Sequence, residues 1–94
     1  MTEIQGVMFE KIMAAVPVDE LKDALLNEYR RRIIHYKMVD EAMKKKYGVS
    51  FQEFETRNFV KEQGFSWQVE SDAMEWEHAL EGVRYAEQKL KDIQ

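Results

Sequence analysis

The spacing of apolar residues along the chain is typical of α-helices. In the first half, apolar and aromatic residues recur at alternating three- and four-residue steps: Leu21, Leu25, Tyr29, Ile33, Tyr36, Val39, Met43 and Tyr47. Residues three and four apart share one face of a helix, so this stripe predicts a single helix of about thirty residues. We expect Asp19 to cap its start and Gly48 to follow its last residue.

The last third of the chain, residues 65–93, predicts a second long helix with two apolar faces. At about 100° per residue, one broad stripe is formed by Val69, Ala73, Trp76, Ala79, Leu80, Val83, Ala86 and Leu90. A narrower stripe on the opposite side is formed by Trp67, Met74, His78 and Tyr85. One apolar face is enough for a helix to join a core. The second stripe therefore predicts contact with another helix, a second subunit or a different protein, the alternative being scattered surface residues.

Two shorter helical segments flank the first long helix. Residues 2–15 predict an amphipathic helix with Ile4, Met8, Ile12 and Ala15 on one side and Phe9, Met13 and Val16 beside them. Pro17 should end it, because proline disfavours the helical conformation of the residue before it. Ser50 and Glu53 form a capping-box pattern that begins a short helix extending to Gly64. Ser66 is then placed to cap the final helix.

Together these elements predict one all-α domain over residues 1–94. Its two long helices are expected to form an antiparallel hairpin, with short helices at the N-terminus and between them. A single helix pair makes a thin core, so we expect a homodimeric helical bundle. Arg32 and Glu87 interrupt the two apolar stripes. They are expected either to pair across the interface or to reach separately into water.

Composition and charge narrow the classes of function. The chain has no cysteine, which excludes disulfides and thiolate-ligated metals. It shows neither a signal-peptide pattern nor an apolar run long enough for a membrane span, so we expect a cytoplasmic protein. Residues 48–94 carry ten acidic and five basic side chains, which argues against nucleic-acid binding. The basic triplets 30–32 and 44–46 fan around a helix and form no patch.

The best candidate for chemistry is the Glu-x-x-His spacing of Glu75 and His78, which is the ligand pair of ferritin-like di-iron bundles. Such sites need a second pair, and the other histidine, His35, has Arg32 three residues before it. The simpler interpretation is an exposed acidic helix, so no metal or cofactor is expected. The chain also offers no convincing triad or phosphate loop, and we expect no enzymatic activity.

Two segments resemble a known group of proteins. The first is Tyr-Gly-x-Ser-Phe-x-Glu-Phe at residues 47–54, and the second is Ser-Trp-x-Val-Glu-x-Asp at residues 66–72, followed by Glu-Trp-Glu at residues 75–77. Residues 29–93 resemble small prokaryotic helical proteins found in toxin–antitoxin-like gene pairs. The resemblance implies an antitoxin-like role. It does not identify the toxin, and the small DNA-binding module of many antitoxins is absent.

The resemblance and the helix pattern lead to one hypothesis for the interface. An antitoxin-like protein with an acidic half can occupy a basic, nucleic-acid-binding cleft on a partner protein. We expect the apolar contact to come from Trp67, Met74, His78 and Tyr85, with Glu70, Glu77 and Glu81 beside it. The alternatives are a homo-oligomeric bundle whose second stripe is the subunit interface, and a small ferritin-like metal-binding bundle.

Overall fold

The computed structural model describes residues 2–64 and 66–94, with side chains from residue 5 onward. Its elements are α1 (Thr2–Ala15), α2 (Val18–Tyr47), α3 (Phe51–Thr56), α4 (Phe59–Glu62) and α5 (Trp67–Ile93). All of them are helices, which confirms the prediction of an all-α fold. The predicted start of the last helix at Phe65 lies outside the described residues.

The ends of α2 confirm one predicted boundary and correct another. Gly48 follows Tyr47 with a φ of 73°, and its amide donates to the Lys44 carbonyl at 2.7 Å, as predicted. The predicted N-cap at Asp19 is wrong, because α2 begins at Val18 and Pro17 occupies the cap position without a side-chain cap bond. The Pro17 carbonyl accepts the Leu21 amide at 3.0 Å, so the helix starts directly after the proline. Asp19 lies instead in the first turn, near the positive end of the helix dipole.

The connection between the long helices is broken into two short helices. Ser50 Oγ accepts the Glu53 amide at 3.2 Å, which confirms the predicted cap. The single helix expected as far as Gly64 is wrong, because Asn58 adopts a left-handed conformation with φ 55° and separates α3 from α4. Asparagine tolerates this conformation better than most residues. Ser66 precedes α5 as expected but makes no side-chain cap bond.

The predicted core face of α5 packs against α2, and the tightest packing is aromatic. Trp76 and Phe54 are fully buried, with ring centroids 5.3 Å apart. Tyr47 stacks on Trp76 at 6.1 Å, while Phe51 and Phe59 close the cluster from α3 and α4. We call this half of the α2–α5 pair, which α3 and α4 cover, the closed end.

The buried indole of Trp76 determines how α5 aligns with α2. Its Nε1–H donates to Asp40 Oδ1 at 2.7 Å, and Lys44 Nζ lies 3.1 Å from the other carboxylate oxygen. A buried indole N–H needs a hydrogen-bond partner, and Asp40 provides it across the interface between α2 and α5. Neither role of Asp40 was predicted from the sequence.

A second polar contact joins the same two helices near the start of α5. The carboxylate of Asp72 is buried and accepts hydrogen bonds from Lys46 Nζ and Tyr47 Oη, each at 2.5 Å, and from Gln68 Nε2 at 3.0 Å. Burial alone raises the pKa of Asp72, but the bonds from Lys46, Tyr47 and Gln68 outweigh it and hold the pKa below the ordinary value. Burial, together with the bond to Asp72, raises the pKa of Tyr47 to about 12.

In the other half of the α2–α5 pair, which we call the open end, α2 and α5 are the two described helices that pack together. Tyr85 lies edge-on to Tyr29 at 6.3 Å, and Leu26, Ala79 and Ala86 are buried there. The fold as a whole is extended. Its radius of gyration is 18.7 Å, whereas a compact domain of this length would have about 12 Å.

The described side chains of the first helix contribute nothing to this core. Every described side chain from Gln5 to Ala15 is exposed, and α1 shares no extensive interface with another helix in the described residues. The helix predicted over residues 2–15 is therefore present, but its described apolar side chains do not pack against the other helices as their number suggests. None of the described helices combines the length and apolarity needed to cross a membrane.

The pKa of Tyr47 predicts loss of stability in alkali. The phenol ionises near pH 10 in the unfolded chain and near pH 12 in the folded one. Between these values the folded protein keeps a proton that the unfolded chain releases, so unfolding becomes easier as the pH rises. We expect urea unfolding from pH 9 to 12 to show a steeper loss of stability for the native protein than for Tyr47→Phe. Equal slopes would contradict this assignment.

Candidate protein-interaction surface

The residues predicted to form an interface lie together on one side of α5. We call Trp67, Met74, His78 and Tyr85 the interaction stripe, and Glu70, Glu77 and Glu81 the acidic flank. Trp67 is 79% exposed and Met74 is 70% exposed, while Tyr85 and His78 are also exposed. Glu77 and Glu81 are exposed and Glu70 is partly buried. Large apolar side chains and carboxylates thus share one accessible surface.

The two halves of the interaction stripe have different surroundings. His78 and Tyr85 border α2, where His78 lies edge-on to Tyr36 at 5.7 Å and Tyr85 edge-on to Tyr29 at 6.3 Å. Trp67 and Met74 lie nearer the closed end and leave most of their surface in solvent. Contacts with α2 therefore hold the orientation of one half of the stripe, and the other half has more apolar surface to offer a partner.

A groove of about 430 Å³ runs beside the stripe and is lined by Arg32, Tyr36, His78, Glu81, Gly82 and Tyr85. The predicted pairing of Arg32 with Glu87 is wrong. Arg32 Nε instead donates to Glu28 at 2.9 Å, one turn earlier in the same helix. Arg31 also donates to Glu28, and the two guanidinium groups lower the pKa of Glu28 to about 2. Glu28 is four residues from Arg32 in the same helix, so the two side chains can meet however α5 is aligned on α2. An ion pair with Glu87 would need the two helices to be aligned for it, and this favours the pair with Glu28.

Gly82 allows the two helices to approach closely at this groove. A Cβ atom at position 82 would lie 2.4 Å from Cε2 of Tyr36. The Tyr36 ring therefore lies where any side chain on residue 82 would project. Nothing in the sequence pattern indicated this contact, because a glycine inside a helix can equally well be a tolerated surface residue.

The candidate metal ligands are not joined by further ligands in one chain. Among the described residues, no three histidine, aspartate or glutamate side chains gather as a metal site would require. His78 borders Tyr36, as described above, and Glu75 is exposed. The ferritin-like alternative would thus need ligands from a second copy.

A separate exposed apolar patch lies on the outer side of α2. It consists of Ile34 and Met38, which are 63% and 66% exposed and have Lys37 and Glu41 beside them. It is smaller than the interaction stripe and has no aromatic residue. The patch provides control positions of similar exposure on the same chain.

No protein-family model matches the chain, and no significant match was found among curated proteins or solved structures.

The exposure of Trp67 can be measured directly, because the other tryptophan is fully buried. Acrylamide should quench the native protein through Trp67, whereas Trp67→Phe should retain only a blue-shifted emission that resists the quencher. The physical reason is that Trp76 is 0% exposed and has the Tyr47, Phe51 and Phe54 rings around it. Equal quenching of both proteins would mean that Trp67 is covered in solution, as expected if the stripe were a subunit interface.

The close approach at Gly82 predicts coupling between residues 36 and 82. In an exposed helix, replacing glycine with alanine stabilises by about 0.8–1.0 kcal/mol. We expect Gly82→Ala to stabilise the Tyr36→Ala variant by about this amount. When Tyr36 is present, we expect Gly82→Ala to stabilise the protein by less than this or to destabilise it. Denaturant unfolding of the four proteins measures the coupling. The same effect of Gly82→Ala in both backgrounds would contradict the contact.

Proposed function

We propose that the protein is a non-enzymatic interaction module that binds a protein partner through the interaction stripe on α5. The observation that carries this proposal is the exposure of Trp67 and Met74 on a long, well-supported helix. Apolar surface of this kind favours contact with another protein. Tryptophan and tyrosine are also the residue types that most often dominate binding energy at interfaces.

The acidic flank favours a basic partner. Glu77 and Glu81 are exposed next to the stripe, and the chain as a whole has a net charge of −4. Complementary charge accelerates association and disfavours acidic competitors. The proposed role is antitoxin-like, as the resemblance of residues 29–93 implies. In that role the stripe and its flank cover a basic cleft that the toxin uses for nucleic acid.

We also propose that α2 and α5 form an antiparallel hairpin, which keeps the stripe on its outer side. The order of the contacts supports this arrangement. Residue 72 contacts residues 46 and 47, residue 76 contacts residue 40, and residue 85 contacts residue 29. The paired positions thus rise along one helix as they fall along the other.

A homo-oligomeric bundle is the second candidate function. The extended shape and the exposed apolar residues of α1 favour it, because both leave surface that a second copy can cover. In this candidate the interaction stripe is the contact between subunits and no partner exists. Whether Trp67→Ala disrupts a homo-oligomer or a complex with a partner therefore separates the two candidates.

The decisive experiment is co-purification from the native cells, with mass spectrometry and a binding assay on whatever co-elutes in stoichiometric amount. We expect a basic protein, and we expect Trp67→Ala and Met74→Ala each to weaken its binding by about 30-fold or more. Met38→Ala is the matched control, because Met38 is similarly exposed on the outer side of α2. Expression of the partner alone should slow growth, and co-expression of the native protein should restore it.

Two results would contradict the proposal. If Met38→Ala weakens binding as much as the stripe variants do, the stripe is not the interface. If the protein is isolated without a partner and Trp67→Ala instead dissociates a homo-oligomer, the stripe is a subunit contact and the second candidate function is correct.

A further inference from the structure

We propose that α1 is exchanged between two copies of the chain, with α1 of each copy packing on the open end of the other. The resulting dimer would bury α1 without using Trp67 and Met74 of the interaction stripe. This inference goes beyond the proposed partner binding and rests on different residues.

The composition of α1 requires a packing partner. Its exposed apolar side chains include Val7, Met8, Phe9, Ile12 and Met13. At about 100° per residue they spread around more than half of the helix. A helix that is apolar around so much of its surface is normally buried. With 14 residues and an internal glycine, α1 is also near the length at which an isolated helix is marginal in water.

The connection to α2 favours exchange over folding back. Only Val16 and Pro17 separate the two helices, and Pro17 has an extended backbone with ψ 144°. Proline restricts both its own φ and the conformation of Val16, so the link is short and stiff. With this link every described side chain of α1 remains exposed. Short, constrained hinges are typical of proteins that exchange an element between subunits.

The open end offers a surface of suitable length and character. Leu25 and Val18 are exposed on the part of α2 that α3 and α4 do not cover. At about 1.5 Å per residue, α1 is about 21 Å long and residues 18–36 of α2 extend about 28 Å. A third helix laid along the open end would give it the kind of cover that α3 and α4 give the closed end.

Charge favours the open end of a second copy over its acidic middle segment as the place where α1 packs. Residues 18–36 and 79–94, which form the open end, carry equal numbers of acidic and basic side chains, and residues 5–16 carry one of each. Residues 37–78 carry nine acidic and six basic side chains. Contact between α1 and the open end therefore avoids repulsion between like charges. Two copies meeting through the acidic flank would bring like charges together.

The first test compares two full-length variants that add the same charge to α1. We expect the native protein to be a dimer in sedimentation equilibrium and Ile12→Glu to weaken dimerisation by at least about 100-fold, because the twofold contact loses the buried isoleucine twice. Gly6→Glu is the control, since a side chain there meets nothing within 4 Å and position 6 lies on the more polar side of α1. Circular dichroism should show that Ile12→Glu loses no more helix than the 14 residues of α1.

The second test identifies the surfaces in contact. In a mixture of ¹³C-labelled and unlabelled protein, isotope-filtered NMR should show contacts between the methyl groups of Ile12 and Met8 in one copy and those of Leu25 and Val18 in the other. Contacts of α1 within its own chain, or contacts between copies centred on Trp67 and Met74, would overturn the proposal. A monomer at 0.5 mM would also overturn it, as would equal dimerisation by Ile12→Glu and Gly6→Glu. Binding of that monomer to phosphatidylglycerol vesicles would assign α1 to lipid instead.

These results are separable from those for partner binding. Ile12→Glu should lose the dimer and keep the partner, whereas Trp67→Ala should keep the dimer and lose the partner. If Ile12→Glu lost both, α1 would belong to the partner interface and the exchange would be rejected.

Discussion

The burial of one tryptophan determines how the rest of the fold is arranged. Trp76 has no exposed surface, and its only polar group is satisfied by Asp40 on the facing helix. Losing a buried tryptophan costs about 3–5 kcal/mol and losing a hydrogen bond to a charged group about 1.5–3 kcal/mol. Burial of the Trp76 ring therefore contributes more to stability than its hydrogen bond does. The hydrogen bond depends on direction, and it is this bond that selects one alignment of α5 on α2. With Trp76 opposite Asp40, Asp72 reaches Tyr47 and Gly82 faces Tyr36.

The same alignment places the interaction stripe outside. Residues two positions before and after an inward-facing helical residue point about 200° away from it. Met74 and His78 stand in this relation to Trp76, so the contact that buries the tryptophan also turns them outward. An apolar residue at either position is not required by the core. Its presence there calls for an explanation from outside the subunit, whether that is a partner or a second copy.

Periodicity predicted the helices well because both long helices use one continuous face. It was less successful where a single residue decides the outcome. Asp19 is a better N-cap residue than Pro17 by side chain, yet proline starts the helix by its own backbone geometry. Asn58 divides the segment between Phe51 and Gly64 by adopting a left-handed conformation that apolar spacing does not reveal.

Contacts between helices depend on their alignment in space. For this reason the bonds from Lys46 and Tyr47 to Asp72 were missed, and Glu87 was assigned to an arginine that Glu28 holds within one turn. All seven predicted interface residues lie on one side of α5, but whether a partner binds there stays a prediction.

The two ends of the helix pair differ in how completely the chain covers them, and this difference suggests a division of roles. At the closed end, α3 and α4 supply the aromatic rings that α2 and α5 need, so this half can hold its shape alone. At the open end the described part of the chain provides α2 and α5 alone, while the described side chains of α1 leave apolar surface in solvent. Within one chain, α1 can cover the open end only if the link between α1 and α2 allows α1 to pack there. The two-residue link through Pro17 leaves α1 exposed in one copy, and a second copy provides the same open end without the constraint of that link. The proposed self-association through Val18 and Leu25 and the proposed partner binding centred on Trp67 and Met74 are compatible, because these exposed apolar residues lie on different parts of the molecule.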